Sequence, residues 1–285
     1  MGFIDHIIYC NNCDYTQFFP WSIDDKTVGY VHKKIVSKLL AFPYFFTLGS
    51  DSLKMSKNLK TIRDRNQAFE EILETFRRAG IGNEKSDEKY AVRAKIDQPT
   101  LMTIDRGSAD LFGILSTGFH LNGIVRNGPD LKMWVATRAQ NRETFPGQLD
   151  NMVAGGQPAG LTLEQNVIKE CHEEANISEK LARQAIPSGQ ISYTMQVGTK
   201  MRRHVMYVYD LELPPSYRPA PLDGEVEKFE LVAIENVIDI VGSWPNSFKF
   251  NCNLVIIDFL IRHGFILTDH PDHYDIVNGL RSPVV

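Results

Sequence analysis

The stretch Lys169-Glu170-Cys171-His172-Glu173-Glu174-Ala175-Asn176-Ile177 follows a loop that begins with Gly155-Gly156. Glu170, Glu173 and Glu174 stand at positions i, i+3 and i+4, so a helix places their carboxylates on one stripe. Like charges at this spacing repel each other by roughly a few tenths of a kcal/mol per pair. A divalent cation with oxygen ligands would reverse that cost. The stretch therefore predicts a metal-binding helix, and a solvated acidic helix end is the alternative.

The ends of this helix are marked in the sequence. Thr162, with Gln165 three residues later, forms a capping box. Asn176 stands where the chain should leave the helix in the left-handed conformation, which Asn tolerates. Val167 and Cys171 belong to an apolar stripe beside the carboxylates. We therefore expect the acidic stripe to border the buried face of the helix.

The stretch resembles the Nudix box, whose pattern is Gly, five residues, Glu, seven residues, then Arg-Glu-apolar-X-Glu-Glu-X-Gly-apolar. Gly155 takes the first position, and the second block matches from Lys169 onward. Three positions depart from the pattern: Leu161 stands for the first Glu, Lys169 for Arg and Asn176 for Gly. Lysine keeps the charge of arginine but lacks its forked donor.

Three further motifs, at residues 118–123, 144–151 and 223–227, resemble one branch of this family. In that branch a Nudix domain follows a DUF4743-like N-terminal domain, as in plant Nudix enzymes and the segment attached to fungal thiamine pyrophosphokinases. The resemblance implies an α+β protein with a Nudix α/β/α sandwich preceded by a small α+β domain. It also implies a phosphoanhydride hydrolase that uses Mg2+, with Mn2+ able to substitute.

The resemblance implies a set of site residues. Glu170, Glu173 and Glu174 are the expected catalytic residues and metal ligands, and Glu225 is a further candidate ligand. For Glu225 the alternative is a charged turn. The candidate contacts to substrate are Arg138, Lys200, Arg202, His120, Asn122, Gly155 and Gly156. For the side chains among these, the alternatives are hydrogen bonds within the core or solvated charges at the surface. An aromatic substrate ring could stack on Trp134 or Phe145, although buried aromatic residues are more common.

Periodicity predicts how the chain is divided. Residues 1–108 form a small α+β domain, with helices over 27–42 and 62–79 and short strands at 45–48 and 52–55. Residues 109–265 form the Nudix domain, which is strand-rich up to residue 233 and ends in two helices. Residues 266–285 form a C-terminal tail that we expect to be irregular or loose.

Composition narrows the class of protein. A net charge of −4 over 285 residues gives no reason to expect nucleic acid as a partner. The N-terminus lacks a basic region followed by an apolar run, and the longest apolar stretch is too short for a bilayer, so we expect no membrane association and a cytoplasmic location. Cys10 and Cys13 have the spacing of a metal knuckle without a second pair, which favours two reduced surface thiols. Oligomeric state is left open.

These observations lead to a functional hypothesis. We expect a Mg2+-dependent hydrolase whose partner is a small-molecule diphosphate, with thiamine diphosphate or its oxidised analogues (oxo- and oxythiamine diphosphate) favoured by the branch. One alternative is a hydrolase of nucleoside-diphosphate-linked compounds. The other is a non-catalytic Nudix-fold module that senses a phosphorylated ligand, and Leu161 in place of the expected Glu is its support.

Overall fold

A computed structural model describes residues 2–284 of the chain. The elements of its N-terminal part are α1 (Phe3–Cys10), β1 (Phe18–Ile23), β2 (Lys26–His32), α2 (Lys33–Leu39), β3 (Phe46–Leu48), β4 (Leu53–Met55), α3 (Ile62–Arg78), β5 (Lys89–Val92) and β6 (Met102–Asp105). The first four strands form one sheet in the order β2-β1-β4-β3, and β5 and β6 form a separate hairpin.

A hairpin replaces the first half of a predicted helix. The prediction of one helix over residues 27–42 was wrong, because β2 occupies Lys26–His32 and α2 only Lys33–Leu39. Asp24 and Asp25 turn the chain with positive φ angles of 50° and 59°, and β2 then pairs with β1. The segment is rich in β-branched and aromatic residues, which favour a strand once a neighbouring strand is available. A short apolar run alone does not separate the two structures.

Helix α3 supplies the core of the N-terminal part, as predicted. It begins with a capping box in which the Thr61 hydroxyl accepts a hydrogen bond from the Asp64 backbone at 3.1 Å. Phe69 and Ile72 are buried on its inner face and pack in one cluster with Trp21 of β1. The two short strands predicted after residue 45 are present as β3 and β4.

The C-terminal part is built around a seven-stranded sheet in the order β11-β12-β7-β8-β13, with β10 paired to β7 and β9 to β8. Strands β12 and β7 run parallel, and the other pairs run antiparallel. The elements are β7 (Leu115–Asn127), β8 (Asp130–Arg138), β9 (Leu149–Asp150), β10 (Val153–Gly156), α4 (Leu163–Ala175), α5 (Glu179–Ala182), β11 (Ile186–Val197), β12 (Lys200–Glu212), β13 (Val226–Ala233), α6 (Ile234–Val241), α7 (Phe250–Arg262) and α8 (His273–Gly279).

Side chains that alternate along the strands of the sheet pack against helices on its two faces. Met133 and Val135 of β8 lie in one apolar cluster with α7, and Trp134 between them lies in another cluster with α4. This alternation follows from the two-residue period of a strand. The result is the expected α/β/α sandwich, within an α+β protein.

Helix α7 is the apolar run that the sequence showed near its C-terminal end. Its residues from Asn251 to Leu260 are all buried, including Asp258, which is 1% exposed. Asp258 accepts hydrogen bonds from Arg262 at 2.7 Å and Arg281 at 2.8 Å, so its charge is paired. The run is therefore a core helix of the sandwich. Across residues 2–284, no helix combines the length and apolar character needed to cross a membrane.

The two ends of the chain meet on one face of the sandwich. Helix α1 packs on α7 and α8, and the Asn11 side chain donates to the Gly279 carbonyl at 3.1 Å. The tail is therefore ordered through α8, and the expectation of an irregular tail was wrong. Cys10 is fully buried in the same cluster, so the expectation of a surface thiol was also wrong for Cys10, whereas Cys13 is half-buried. The division of the chain at residue 108 stays a prediction.

Burial of α8 leads to a stability prediction. Ile276 is 0% exposed and packs in the cluster that contains α1 and α7. We expect Ile276→Val to lower the free energy of unfolding by about 0.5–1.5 kcal/mol, because it leaves a small cavity. Urea unfolding followed by circular dichroism measures this change. The control is Tyr274→Phe on the same helix, where the side chain is 77% exposed. Equal stability of the two variants would contradict the docking of α8.

Candidate functional site

Helix α4 carries the acidic stripe and has the predicted ends. The Thr162 hydroxyl accepts a hydrogen bond from the Gln165 backbone at 3.2 Å, and the Gln165 side chain accepts one from the Thr162 backbone at 2.9 Å. Asn176 ends the helix with φ 54° and ψ 33°, the left-handed conformation. Both predictions are confirmed, and the stripe borders the face of α4 that packs on β10.

The three glutamates of the stripe lie in different environments. Glu174 is 8% exposed and accepts one hydrogen bond, from the Ala154 backbone at 2.9 Å. Burial raises its pKa well above the usual range, and the nearby carboxylates raise it further. Burial also raises the pKa of Glu170, although Lys169 opposes this with a contact of 3.1 Å. Glu173 is more exposed and pairs with the same lysine at 2.9 Å.

Gly155 and Gly156 bring the β10 backbone close to two side chains. A Cβ atom on Gly155 would lie 2.6 Å from Cγ of Glu170. A Cβ atom on Gly156 would lie 1.7 Å from the hydroxyl oxygen of Tyr90. Both distances are far below van der Waals contact, so any larger residue would displace Glu170 or Tyr90.

A cleft of about 210 Å³ lies between these glycines, Glu174 and the N-terminal part of the chain. Of the three helix glutamates only Glu174 lines it, and Glu170 lies behind Gly155. The charged residues that line the cleft are Arg106, Asp110, Arg138, Arg142, Glu174, Arg202, Glu225 and Lys249. The arrangement places carboxylates and cations around one opening, as a site for a metal ion with an anionic substrate requires.

Glu225 faces this cleft just before β13 begins. Its carboxylate pairs with Arg142 at 2.6 Å, and its charge contributes to the raised pKa of Glu174. Glu227, two residues later, is exposed and does not line the cleft. This is the alternation expected for two carboxylates on an extended segment.

His120 and Asn122 of β7 belong to a buried polar network. The Nδ1 atom of His120 lies 2.9 Å from the side-chain oxygen of Asn151, and its Nε2 lies 3.3 Å from the Asn251 amide. Burial, together with the charge of Lys249, lowers the pKa of His120 to about 4, so the ring is neutral. His120 lines the cleft.

Asn122 lies away from the cleft. It is 0% exposed and does not line the opening. Its amide nitrogen donates to Asp210 at 2.9 Å, and its oxygen accepts from Asn151 at 3.1 Å. These bonds use both ends of the amide within the core. The expectation that Asn122 contacts substrate is therefore corrected to a role in core hydrogen bonding.

Asp150 holds the cations on one side of the cleft. It pairs with Arg138 at 3.0 Å and Lys249 at 3.1 Å, and the Cys252 thiol donates to it at 2.7 Å. Burial opposes its ionisation, but the charges of Lys249 and Arg138 outweigh it and hold the pKa of Asp150 below its usual range. His120, Asp150 and Cys252 have ligand atoms within 4.8 Å of one another. The hydrogen bond from the Cys252 thiol and the ion pairs of Asp150 with Arg138 and Lys249 already explain why these groups lie together.

The guanidinium group of Arg138, a candidate phosphate ligand, donates hydrogen bonds to the protein itself. Its Nε and Nη2 donate to the carbonyl oxygens of Phe145 at 3.1 Å and Thr144 at 2.9 Å, and its Nη1 donates to Asp150. The side chain lines the cleft but is only 13% exposed. Its position fixes the loop at residues 144–145, and a role in binding substrate stays a prediction.

Lys200 and Arg202 form a basic cluster after Gly198. We expected this cluster to lie in a loop between two strands, but it lies on β12. Arg202 lines the cleft, donates from Nε to Asp110 at 2.8 Å, and packs against the rings of Phe145 and Phe250. Lys200 points instead to Asn83 of the N-terminal part and does not line the cleft. A substrate contact for Lys200 is therefore corrected to a contact between the two parts of the chain.

Several lining residues were not singled out from the sequence. Tyr90 and Arg106 come from β5 and the end of β6, and His204 lies beside Arg202 with its Nδ1 3.0 Å from the Tyr193 hydroxyl. No local pattern marks them, because only the packing of the two parts brings them to the cleft. Among the aromatic candidates, Phe145 lines the cleft and Trp134 lies in the core.

Comparisons with known proteins match both parts of the chain. Residues 2–116 match the family described as "Domain of unknown function (DUF4743)", and residues 122–252 match the family described as "NUDIX domain". Nudix hydrolase 20, chloroplastic, from Arabidopsis thaliana is 35% identical over 99% of this chain and 78% of its own length. Nudix hydrolase 24, chloroplastic, from the same plant is 34% identical with the same coverage.

A yeast relative shows a more limited likeness. The uncharacterized protein YJR142W of Saccharomyces cerevisiae is 35% identical over 68% of this chain and 60% of its own length. The two plant proteins, by contrast, are similar along almost the whole chain. The likeness to them therefore includes both the N-terminal part that borders the cleft and the sandwich that carries the acidic helix.

Proposed function

Since the chain belongs to the Nudix hydrolase family, we propose that this pyrophosphohydrolase is Mg2+-dependent and acts on a small diphosphate compound, which it converts to a monophosphate. The observation that carries the proposal is the buried carboxylate of Glu174, which has no cation paired with it among the described residues. It lies in a cleft whose other walls present arginine side chains. What we propose is the identity of the metal and of the substrate.

The acidic groups fit a hard divalent cation. The charges of Asp150, Glu170 and Glu225 all contribute to the raised pKa of Glu174, and a cation at Glu174 would relieve this repulsion. Carboxylate oxygens are the ligands that Mg2+ and Mn2+ prefer. The residues that would hold the ion in the cleft are Glu174 and Glu225, and Glu170 and Glu173 of the same acidic stripe stay the further predicted ligands. When bound, the ion would neutralise diphosphate oxygens and lower the pKa of a coordinated water.

The side chains of the cleft have separate roles in hydrolysis. A water oxygen bonds to phosphorus, the bond from phosphorus to the bridging oxygen breaks, and that oxygen leaves with the electron pair on the product. Glu170, which lies behind Gly155 on the acidic helix, is proposed to orient the water or to accept its proton. Arg202, held by Asp110 and two aromatic rings, would stabilise charge on the phosphate.

Thiamine diphosphate and its oxidised analogues are the proposed substrates. The three motifs that resemble the thiamine-linked branch all contribute to the cleft, through Gly118 and His120, Thr144 and Phe145, and Glu225. Phe145 and Phe250, whose rings lie against Arg202, place aromatic surface in the cleft beside the proposed phosphate-binding groups. An enzyme that prefers the damaged analogue would spare the intact cofactor, and this preference would appear in kcat/KM.

The sensing-module alternative loses its support. It depended on Leu161, which replaces the first Glu of the box. Leu161 is 38% exposed and does not line the cleft, so its substitution removes no carboxylate from the opening. Its backbone oxygen accepts a hydrogen bond from Gln157 at 2.7 Å, which is a loop contact. The enzyme interpretation agrees with the family.

A substrate panel tests the proposal. We expect Mg2+-dependent release of monophosphate from thiamine, oxothiamine or oxythiamine diphosphate, with the oxidised compounds giving the higher kcat/KM. ADP-ribose and a dinucleotide polyphosphate serve as comparison substrates, and EDTA-treated enzyme serves as the control. Turnover of the nucleotide compounds alone would contradict the thiamine proposal and leave the hydrolase intact. Equal rates with EDTA and with Mg2+ would contradict the metal dependence.

The location of the protein is a separate proposal. The names of the two plant relatives place those proteins in the chloroplast. For this chain the cytoplasm stays the proposed location. Fractionation of cells that express the full chain, with a cytoplasmic marker enzyme, tests this location.

A further inference from the structure

The N-terminal part of the chain forms one wall of the catalytic cleft. Tyr90 of β5 is 8% exposed, and its hydroxyl lies directly against the backbone of Gly156. Burial raises the pKa of Tyr90 to about 12, so the hydroxyl keeps its proton and can donate a hydrogen bond. Arg106 follows β6 and lines the same opening. This wall faces the strand that carries Gly155 and Gly156, next to the acidic helix.

The Arg106 guanidinium is held in place but remains accessible. Its Nη1 donates to Glu88 at 2.6 Å, and its carbon lies 5.9 Å from the centre of the Tyr90 ring. Within residues 2–284 no protein acceptor is found for its Nε and Nη2. A planar fork with one donor anchored and two donors open suits an oxygen-rich anion.

Arg106 is the most exposed of the cations that line the cleft. Its side chain is 45% exposed. The side chains of the others, Arg138, Arg142, Arg202 and Lys249, are between 13% and 28% exposed, and each pairs with a buried or half-buried carboxylate. An exposed cation is open to pairing with an incoming anion, and electrostatic complementarity of this kind favours ligand encounter and specificity. The alternative is a surface arginine that only pairs with Glu88.

We propose that Arg106 binds the diphosphate of the substrate in the cleft that Glu174 also lines, with Tyr90 and Glu88 as positioning residues. The inference rests on the proposed function for the identity of the ligand as a diphosphate. It assigns the N-terminal part a direct contribution to binding, in addition to its packing against the sandwich. Specificity for the compound attached to the phosphates would then depend on both parts of the chain.

Binding of methylenediphosphonate in the presence of Mg2+ tests this role without turnover. Isothermal titration calorimetry should show a Kd that is about 10- to 100-fold weaker for Arg106→Ala than for wild type, since a hydrogen bond between charged groups is lost. Arg106→Lys should give an intermediate Kd, because it keeps the charge without the fork. Binding of Mg2+ alone should be the same in all three proteins.

Two further variants separate ligand binding from a structural role. Arg63→Ala removes an exposed arginine on α3 that does not line the cleft, and should bind like wild type. Glu88→Gln keeps an acceptor for Nη1, so it should weaken binding less than Arg106→Ala. Equal losses in Glu88→Gln and Arg106→Ala would indicate only a structural ion pair and would overturn the proposal.

The outcomes also separate this inference from the proposed function. Wild-type affinity in Arg106→Ala, or no binding of methylenediphosphonate to wild type, would overturn the role of Arg106. Loss of binding in Arg106→Ala, together with no hydrolysis of any compound in the panel, would support the role of Arg106 and contradict the proposed substrates.

Discussion

Glu174→Gln is expected to lower kcat by about 100- to 1000-fold in saturating Mg2+, because it removes the charge of a proposed metal ligand that lines the cleft. The amide has the same shape and can still accept the hydrogen bond from the Ala154 backbone. The fold should therefore survive. Stability without metal should stay equal or rise, since a neutral amide avoids the cost of burying a charge. Steady-state kinetics and thermal unfolding measure the two effects.

The control for this variant lies on the same helix. Glu164 of α4 is well exposed, pairs with Arg183 and does not line the cleft. Glu164→Gln should therefore keep wild-type activity within about twofold, as expected for a surface substitution. If Glu174→Gln were as active as wild type in saturating Mg2+, the assignment of the metal to the acidic stripe would be wrong.

Asp150→Asn is expected to lower the free energy of unfolding by about 3–5 kcal/mol, because it leaves two largely buried cations without their carboxylate. Arg138 is 13% exposed and Lys249 is 17% exposed, so water compensates little for the lost charge. Urea unfolding measures the loss. Asp25→Asn is the matched control, since Asp25 is 63% exposed and its contacts with Lys54 and Lys57 are 3.5 and 3.6 Å. Its cost should stay below about 1 kcal/mol.

The effect of Asp150 should also depend on pH in a defined direction. The pKa of this carboxyl is lower in the folded protein than in the unfolded chain, where it is about 3.9. Its stabilisation is therefore complete above that unfolded value and is lost as the pH falls through the folded pKa. The difference in stability between wild type and Asp150→Asn should be constant near neutral pH and shrink in acid. A difference that grows in acid would contradict the ion-pair assignment.

Local signals predicted the acidic helix of the site in detail. The capping box at Thr162 and the left-handed Asn176 depend on neighbouring residues only, and both are present in the structure. The spacing of Glu170 and Glu174 needs only the helical period. Gly155 and Gly156 were predicted as site residues from the box pattern. Their close contacts with Glu170 and Tyr90 show why these positions have no room for a larger residue.

Features that depend on distant contacts could not be predicted in the same way. Asn122 and Arg138 have the side chains of substrate ligands, but hydrogen bonds to Asp210 and Asp150 hold them in place. Strand β2 was predicted as helix because its pairing with β1 is not visible in a single apolar run. Arg106 reaches the cleft only because the hairpin of β5 and β6 packs beside β10.

The placement of α1 has a consequence for how the protein is made. The ribosome releases this helix long before α7 and α8, with which it makes most of its contacts. His6, for example, lies 2.9 Å from the carbonyl oxygen of Val241, 235 residues away. Contacts of such long separation form late and slow the folding reaction. Until α7 and α8 emerge, most of the contacts of α1 cannot form, and the nascent chain is exposed to association with other chains or to capture by chaperones.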